Sequence, residues 1–254
     1  MIRQARLFLC ALQFLTRLPT PRLEGFEADW IARSAPWYPV VGWIVGAISA
    51  GALLLAGRVW PGLPAAAIAL AVGFLVTGGF HEDGLADTAD GLGGGQTPER
   101  RLEIMKDSRI GSYGVLALWG ALTIKAAALA TMAPMQAALA LVVAHGAARS
   151  FAVIVMASLR YAGDPEAAKL KPAPMGVRPL EAVVAVVVGL APVVLFLPPI
   201  QAAAGAALAA CGAAMLALTS RRLIGGFTGD VLGGVEQLAE LGLLLGFAVK
   251  GFGV

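Results

Sequence analysis

Long stretches without a charged side chain dominate this sequence. Residues 34–57 carry no charge over 24 positions, residues 59–80 none over 22, and residues 182–220 none over 39. A bilayer core needs about 20 apolar helical residues to cross it, so the first two stretches can each cross once and the third twice. Only 14% of the residues are charged, against about 25% in soluble domains. The stretches exclude a disordered chain and an ordinary soluble domain.

Three further segments are apolar but carry ionisable side chains. They are 113–133 with Lys125, 136–159 with His145 and Arg149, and 231–250 with Glu236 and Glu240 and with Lys250 as its last residue. Leu197-Pro198-Pro199 supplies a turn within the longest uncharged stretch, because proline does not continue a helix. We therefore predict an all-α fold: a polytopic membrane-embedded helical bundle of about seven transmembrane helices, forming a single catalytic domain over residues 1–254.

The positions of Lys and Arg give the bundle an orientation. With seven spans and a cytoplasmic N-terminus, fifteen of the 19 basic residues fall in segments on the cytoplasmic side, where such residues are enriched. Arg58 and Lys250 fall on the other side, and Lys125 and Arg149 fall within spans. The net charge of only +3 does not indicate a nucleic-acid-binding protein.

The N-terminal residues 2–18 are predicted to form a helix that lies in the membrane interface. At 100° per residue, its polar side chains fall within an arc of about 80°. They are Arg3, Arg6, Gln13 and Arg17. A short buried helix is the alternative interpretation.

Acidic residues concentrate just after the second stretch. If that helix continues past Phe80, then Asp83, Asp87 and Asp90 project within an arc of about 60°, whereas Glu82 points about 100° away. Three carboxylates on one stripe repel each other unless a cation lies between them, and Mg²⁺ is commonly held by carboxylates and substrate phosphates. A solvated acidic loop is the alternative. The spacing and the small neighbouring residues favour metal ligation by all three aspartates.

Basic and hydroxyl side chains follow the acidic stripe. Gly93-Gly94-Gly95 is expected to end the helix, and Thr97 and Pro98 to begin a short helix that reaches Lys106. The next residues are suited to phosphate oxygens. They are Lys106, Ser108 and Arg109, with Asp107 among them as either a fourth metal ligand or an ion-pair partner. Anchoring at the cytoplasmic surface is the alternative role for such cations.

Metal-binding acids beside phosphate-binding cations indicate phosphoryl transfer from a diphosphate donor. A metal ion neutralises the charge that develops, and a carboxylate orients or deprotonates the attacking hydroxyl. We therefore interpret residues 81–112 as a cytoplasmic catalytic loop.

Several motifs resemble the adenosylcobinamide-GDP ribazoletransferase (cobalamin synthase) family, collinearly over nearly the whole chain. The central motif is His81-x-Asp83-Gly84-Leu85-Ala86-Asp87-x-x-Asp90-Gly91, followed by Leu102-Glu103-Ile104-Met105-Lys106-Asp107-Ser108-Arg109-x-Gly111. The outer motifs are Phe14-Leu15-Thr16-Arg17-Leu18-Pro19 and Thr228-Gly229-Asp230-x-Leu232-Gly233.

The resemblance implies the last step of cobalamin nucleotide-loop assembly, in the bacterial inner membrane with the active site on the cytoplasmic side. Adenosylcobinamide-GDP would react with α-ribazole or its phosphate, releasing GMP and using Mg²⁺. The expected metal ligands are Asp83, Asp87, Asp90 and, less directly, Asp107. Asp83 and Asp90 are both candidates for the general base.

Charges inside the predicted spans are functional candidates because they are costly there. We expect Arg149, with His145 on the same helical face, to bind a substrate phosphate or the aspartate stripe. Lys125 has either a functional role or a snorkelling one. Gly225-Gly226-Phe227-x-x-Asp230 repeats Gly78-Gly79-Phe80-x-x-Asp83, so Asp230 is expected to line the same cavity and bind substrate.

Two other functions compete with this interpretation. A CDP-alcohol phosphotransferase of lipid synthesis shares the core Asp87-Thr88-Ala89-Asp90-Gly91, but the rest of its longer aspartate pattern is missing. A carboxylate-lined membrane transporter would need acids deep in several spans, whereas the strongest cluster here follows the end of one. The lipid bilayer is an implied partner, and a second copy of the chain, in a homo-oligomer, is a further candidate partner.

Overall fold

The computed structural model describes residues 2–23, 25–27, 29–163 and 175–249. Within these ranges the chain forms eleven α-helices. They are α1 (Ile2–Leu15), α2 (Trp30–Arg33), α3 (Tyr38–Ala56), α4 (Leu63–Thr77), α5 (Phe80–Gly94), α6 (Pro98–Lys106), α7 (Ser112–Ala130), α8 (Pro134–Ser158), α9 (Pro179–Phe196), α10 (Pro199–Ile224) and α11 (Gly229–Phe247). Lys169, Lys171 and Lys250, which enter the charge count above, lie outside the described residues.

The helices confirm a polytopic helical membrane protein, with fewer clear spans than predicted. Five helices among the described residues are long and apolar enough to cross a bilayer: α3 with its preceding 3₁₀ turn, α7, α8, α9 and α10. The bent pair of α4 and α5 makes a sixth if it counts as one span. The seventh predicted span, α11, does not meet these criteria because it carries Asp230, Glu236 and Glu240.

The second predicted span is broken by two glycines. Helix α4 has 15 residues, about 22 Å of helix, which is shorter than a bilayer core. It ends at Gly78 with φ +74°, Gly79 follows with φ +70°, and α5 turns by 92°. Glycine adopts these left-handed conformations without a steric penalty. The helix of the second stretch therefore does not continue past Phe80 in one piece, although the three aspartates that follow do share a helix.

Helix α11 packs against α5, α7, α8 and α10 and fixes the position of α5. The crossing of α5 and α11 depends on two glycines. A Cβ placed on Gly84 would lie 2.7 Å from the carbonyl oxygen of Asp230, and one on Gly233 would lie 3.2 Å from the Cα of Gly84. Side chains at these positions would separate the two backbones. The acidic helix α5 is therefore held directly against α11.

Helix α1 brings the N-terminal segment to the break between α4 and α5. Its buried side chains recur with helical spacing, whereas its arginines are exposed. Phe14 contacts the ring of Phe80 in an edge-to-face arrangement with centroids 5.5 Å apart. The helix ends at Leu15, so Arg17 lies beyond it, and the Arg17 N–H donates to the carbonyl of Val76 at 2.8 Å.

Candidate active site

Two of the four predicted metal ligands face an open cavity. Asp83 and Asp87 lie one turn apart on α5 and both line a cavity of about 690 Å³. Asp83 is exposed, whereas the Asp87 residue is only 9% exposed. The helical spacing of the stripe therefore places these two carboxylates at the same cavity, as the sequence predicts.

Four other parts of the chain complete the cavity wall, and one of them is α7, which contributes the apolar Leu118. The end of α1, the α4–α5 break and the segment after α6 contribute polar groups beside the two aspartates. The polar lining residues are Gln13, Thr16, Arg17, Thr77 and Ser108. The cavity therefore combines carboxylates, hydroxyls and a guanidinium, which are groups suited to a metal ion and a phosphorylated ligand.

Asp90, the third member of the stripe, points toward α7. Its Oδ2 accepts a hydrogen bond from the Gly111 N–H at 2.7 Å, and its Oδ1 accepts one from the Gly114 N–H at 2.9 Å. These N–H groups lie at the beginning of α7, where helix donors lack intrahelical partners. Asp90 does not line the cavity and instead caps α7, so its predicted role on the metal has no support from this arrangement.

The basic segment after α5 folds largely as predicted. Helix α6 spans Pro98–Lys106, and the Thr97 hydroxyl accepts a hydrogen bond from the Arg100 N–H at 3.2 Å. Of the residues predicted to bind phosphate, Ser108 lines the cavity, whereas Lys106 is exposed at the end of α6.

Asp107 and Arg109 form an exposed ion pair beside the cavity. Arg109 Nη2 lies 2.6 Å from Asp107 Oδ2, and the Arg109 side chain is 87% exposed. Hydrogen bonds from Arg109 lower the pKa of the Asp107 carboxyl to about 2, so this carboxylate is ionised at physiological pH. The arrangement fits the ion-pair alternative for Asp107. Arg109 lies between Ser108 and Ile110, which both line the cavity.

The charges predicted within spans meet in the interior of the bundle. Lys125 Nζ on α7 lies 2.9 Å from Glu240 Oε1 and donates to Gln237 Oε1 at 2.7 Å. His145 Nδ1 on α8 lies 2.9 Å from Glu240 Oε2. Lys125 is 1% exposed, so it does not snorkel to the interface.

Arg149 forms the second ion pair of this interior cluster. Its Nη1 lies 3.0 Å from Glu236 Oε1 and donates to the carbonyl of His145 at 2.6 Å. Neither Arg149 nor His145 lines the cavity of Asp83. Arg149 lines a separate cavity of about 40 Å³. Both residues therefore lie away from the aspartate stripe and hold α8 against α11.

The interior cluster has metal-ligating side chains but a charge balance that disfavours a metal. Ligand atoms of His145, Glu236 and Glu240 lie within 4.8 Å of one another. Lys125 and Arg149 already neutralise the two carboxylates, so a divalent cation would add two uncompensated charges to a buried site. We interpret this cluster as an ion-pair network that joins helices.

Asp230 lies next to α5 but does not line the cavity of Asp83. Its carbonyl oxygen approaches Gly84 at the α5–α11 crossing. The two copies of the repeated sequence have a similar backbone conformation, since Gly78 and Gly225 both end a helix with φ near +80°. The repeat therefore marks two similar helix breaks, and the expected cavity position of Asp230 is not seen.

Comparison with known proteins identifies relatives over most of the chain. The profile of the CobS family, described as cobalamin-5-phosphate synthase, matches residues 7–248. The adenosylcobinamide-GDP ribazoletransferase of Leptothrix cholodnii is 44% identical, covering 97% of this chain and 96% of that protein. Proteins of the same name from Shewanella baltica and Shewanella frigidimarina are 40% and 38% identical, each over 94% of this chain and 92% and 93% of theirs. No solved structure matches the chain.

Proposed function

Because the chain belongs to the CobS family of cobalamin-5-phosphate synthases, we propose that it joins adenosylcobinamide-GDP to α-ribazole or α-ribazole phosphate and releases GMP. The product is adenosylcobalamin or its phosphate. The shared name of the relatives, adenosylcobinamide-GDP ribazoletransferase, supports an enzyme of cobalamin synthesis with this donor. The cavity of Asp83 and Asp87 is the proposed site of the reaction.

The proposed reaction is a phosphoryl substitution. The ribose hydroxyl oxygen of α-ribazole attacks the phosphorus that carries the cobinamide group and forms a new P–O bond. The bond between this phosphorus and the oxygen of GMP breaks, and GMP leaves with the electron pair. The proton of the attacking hydroxyl passes to a base. Such a reaction needs a site that holds a diphosphate and leaves one phosphorus open to attack in line with the leaving group.

The donors of the cavity fit Mg²⁺. Asp83 and Asp87 supply carboxylate oxygens, the ligand type that Mg²⁺ prefers, and an open cavity leaves room for phosphate oxygens and water. Asp83 forms no ion pair with any cation among the described residues. We propose that these two residues hold Mg²⁺, which when bound would neutralise charge on the diphosphate.

Asp83 is the better candidate for the general base. A base must reach the proton that it removes, and the exposed Asp83 lies in the cavity where the acceptor hydroxyl would bind. Both oxygens of Asp90 accept backbone hydrogen bonds at the beginning of α7. We therefore propose that Asp83 is the base through the carboxylate oxygen that does not hold the metal, with Ser108 and the exposed Lys106 and Arg109 binding phosphate oxygens at the rim.

The cavity is proposed to face the cytoplasm of a bacterial cell. The support is the excess of Lys and Arg in the segments that share its side of the membrane in the sequence-based topology. The single observation that carries the functional proposal is the meeting of Asp83 and Asp87 with Arg17 and Ser108, residue types suited to phosphate oxygens, at one cavity.

Purified protein in lipid nanodiscs tests the proposal directly. With adenosylcobinamide-GDP, α-ribazole and Mg²⁺, we expect GMP and adenosylcobalamin to form in equal amounts. A parallel reaction with CDP-diacylglycerol and an alcohol tests the lipid-synthesis alternative, and we expect no CMP from it. Absence of GMP in the first reaction, or release of CMP in the second, would contradict the proposal.

A further inference from the structure

Arg17 is the one basic residue among the described side chains that line the cavity of Asp83 and Asp87. It lies just beyond α1, far from the aspartates in sequence. Its backbone N–H donates to the carbonyl of Val76 in the last turn of α4 at 2.8 Å. This hydrogen bond ties Arg17 to the α4–α5 break, where the cavity opens.

The side chain of Arg17 lies over the backbone of Gly78. A Cβ placed on Gly78 would overlap Arg17 Nε and lie 2.7 Å from its Cζ. Gly78 also has φ +74°, which side-chain-bearing residues rarely adopt. The glycine therefore serves two purposes, since it turns the chain and leaves space for the guanidinium at the cavity wall.

The guanidinium of Arg17 has no ion-pair partner among the described residues, although Asp83 lines the same cavity. Four other arginines do pair with carboxylates: Arg33, Arg100, Arg109 and Arg149. Arg17 is exposed, so its N–H donors remain available to a ligand in the cavity.

We infer that Arg17 binds the diphosphate of the donor nucleotide, an inference that rests on the proposed function. A guanidinium presents parallel N–H donors that match two oxygens of a phosphate, and its charge offsets that of the ligand. Helix α5 begins at Phe80, which lines the same cavity, and the positive end of its dipole adds to the attraction. Arg17 thus contacts the diphosphate from the N-terminal wall, while Asp83 and Asp87 line the α5 wall.

Nucleotide binding by single variants tests this role. We would titrate GDP and guanosine into wild type, Arg17→Gln, Arg17→Lys and Arg22→Gln in nanodiscs of zwitterionic lipid with Mg²⁺, using calorimetry. Arg22 is the matched control because it is exposed in the same segment and does not line the cavity. We expect Arg17→Gln to weaken GDP binding at least tenfold. The GDP affinity of Arg17→Lys should lie between those of wild type and Arg17→Gln, and that of Arg22→Gln should match wild type. Guanosine should bind all four proteins equally.

Equal GDP affinity of wild type and Arg17→Gln would overturn the inference, as would an equal loss in Arg22→Gln. Thermal unfolding shows whether weaker binding is caused by a loss of folding. No side-chain hydrogen bond of Arg17 is present among the described residues, so we expect Arg17→Gln to have the Tm of wild type. If Arg17→Gln does not fold, the comparison of wild type with Arg17→Lys decides.

A lipid headgroup is the other source of a phosphate that Arg17 could bind. If anionic lipid displaces GDP from wild type but not from Arg17→Gln, Arg17 is a lipid ligand and the inference fails.

Turnover distinguishes the inference from the proposed function. If wild type releases no GMP from adenosylcobinamide-GDP but binds GDP and inorganic pyrophosphate through Arg17, the proposed reaction fails and the diphosphate site stands. If wild type turns over and Arg17→Gln keeps the same KM for the donor, the reaction stands and the role of Arg17 is refuted. We expect turnover by wild type, with the KM for donor raised and that for α-ribazole unchanged in Arg17→Gln.

Discussion

The ammonium group of Lys125 lies 2.9 Å from Glu240 Oε1 in the interior of the bundle, where the two side chains are 1% and 2% exposed. The pair joins α7 to α11, and both helices pack against α5. Charges buried this deeply are tolerated only when they are paired, since an isolated one costs several kcal/mol. The ion pair therefore supports the helix that carries the proposed catalytic aspartates.

Lys125→Met is expected to destabilise the protein by about 3–5 kcal/mol because it leaves Glu240 buried without its ammonium partner. Thermal unfolding in detergent measures the change as a lower Tm. The double variant Lys125→Met/Glu240→Gln removes both charges and should recover most of the loss. An unchanged Tm in the single variant would show that the pair does not stabilise the bundle.

Gly84→Ala is expected to separate α5 from α11, since its Cβ would lie 2.7 Å from the carbonyl oxygen of Asp230. Overpacking of this kind costs about 1–3 kcal/mol and shifts the backbone that carries the aspartates. Gly120→Ala on α7 is the matched control because nothing lies within 4 Å of its Cβ. We expect Gly84→Ala to lower both Tm and GMP release and Gly120→Ala to lower neither. Equal behaviour of the two variants would contradict the close crossing.

Asp90→Ala is expected to affect stability as well as turnover. It removes the acceptor of two N–H groups at the beginning of α7, and the loss of a helix cap costs about 1–2 kcal/mol. Asp83→Ala removes an exposed carboxylate and should leave Tm unchanged while turnover falls. Parallel measurements of Tm and kcat distinguish the two aspartates. A Tm of Asp90→Ala equal to that of wild type would refute the capping role.

The acid side of the pH–rate profile should be independent of Asp107. The folded-state pKa of this carboxyl is depressed to about 2 by Arg109, so its charge is lost only as the pH falls toward that value. Between pH 5 and 8 it stays ionised, and another group must cause any loss of activity there. We expect Asp107→Asn to leave the apparent acidic pKa of kcat/KM in place. A clear shift of that pKa would show that Asp107 titrates during turnover.

Local periodicity predicts the acidic helix but not its surroundings. The spacing of Asp83 and Asp87 is enough to place them on one face, because a helix repeats every 3.6 residues. The same spacing gives no sign that Asp90 meets the beginning of α7, since that contact depends on how α5 packs. Likewise, Gly78 and Gly79 indicate a break, but not its 92° angle.

Contacts between distant parts of the chain account for the residues that the sequence analysis missed. Arg17 belongs to a motif that resembles the family, yet by itself it counts only as a cytoplasmic cation. Its approach to the aspartates follows from the packing of Phe14 on Phe80 and from the hydrogen bond to Val76. The partners of Lys125 and Arg149 lie on α11, more than 80 residues away, so only the folded bundle reveals them.

GMP release by aspartate variants tests most directly whether the cavity of Asp83 and Asp87 is the active site. Wild type, Asp83→Asn, Asp87→Asn and Glu82→Gln would be assayed with adenosylcobinamide-GDP and α-ribazole over a range of Mg²⁺ concentrations. Glu82 is the control because it is adjacent to Asp83, yet its Oε1 accepts a hydrogen bond from Gln237 at 3.1 Å and it does not line the cavity. We predict losses of about 100-fold or more for the two aspartate variants and near wild-type rates for Glu82→Gln. GMP release at the wild-type rate by Asp83→Asn and Asp87→Asn would contradict the account.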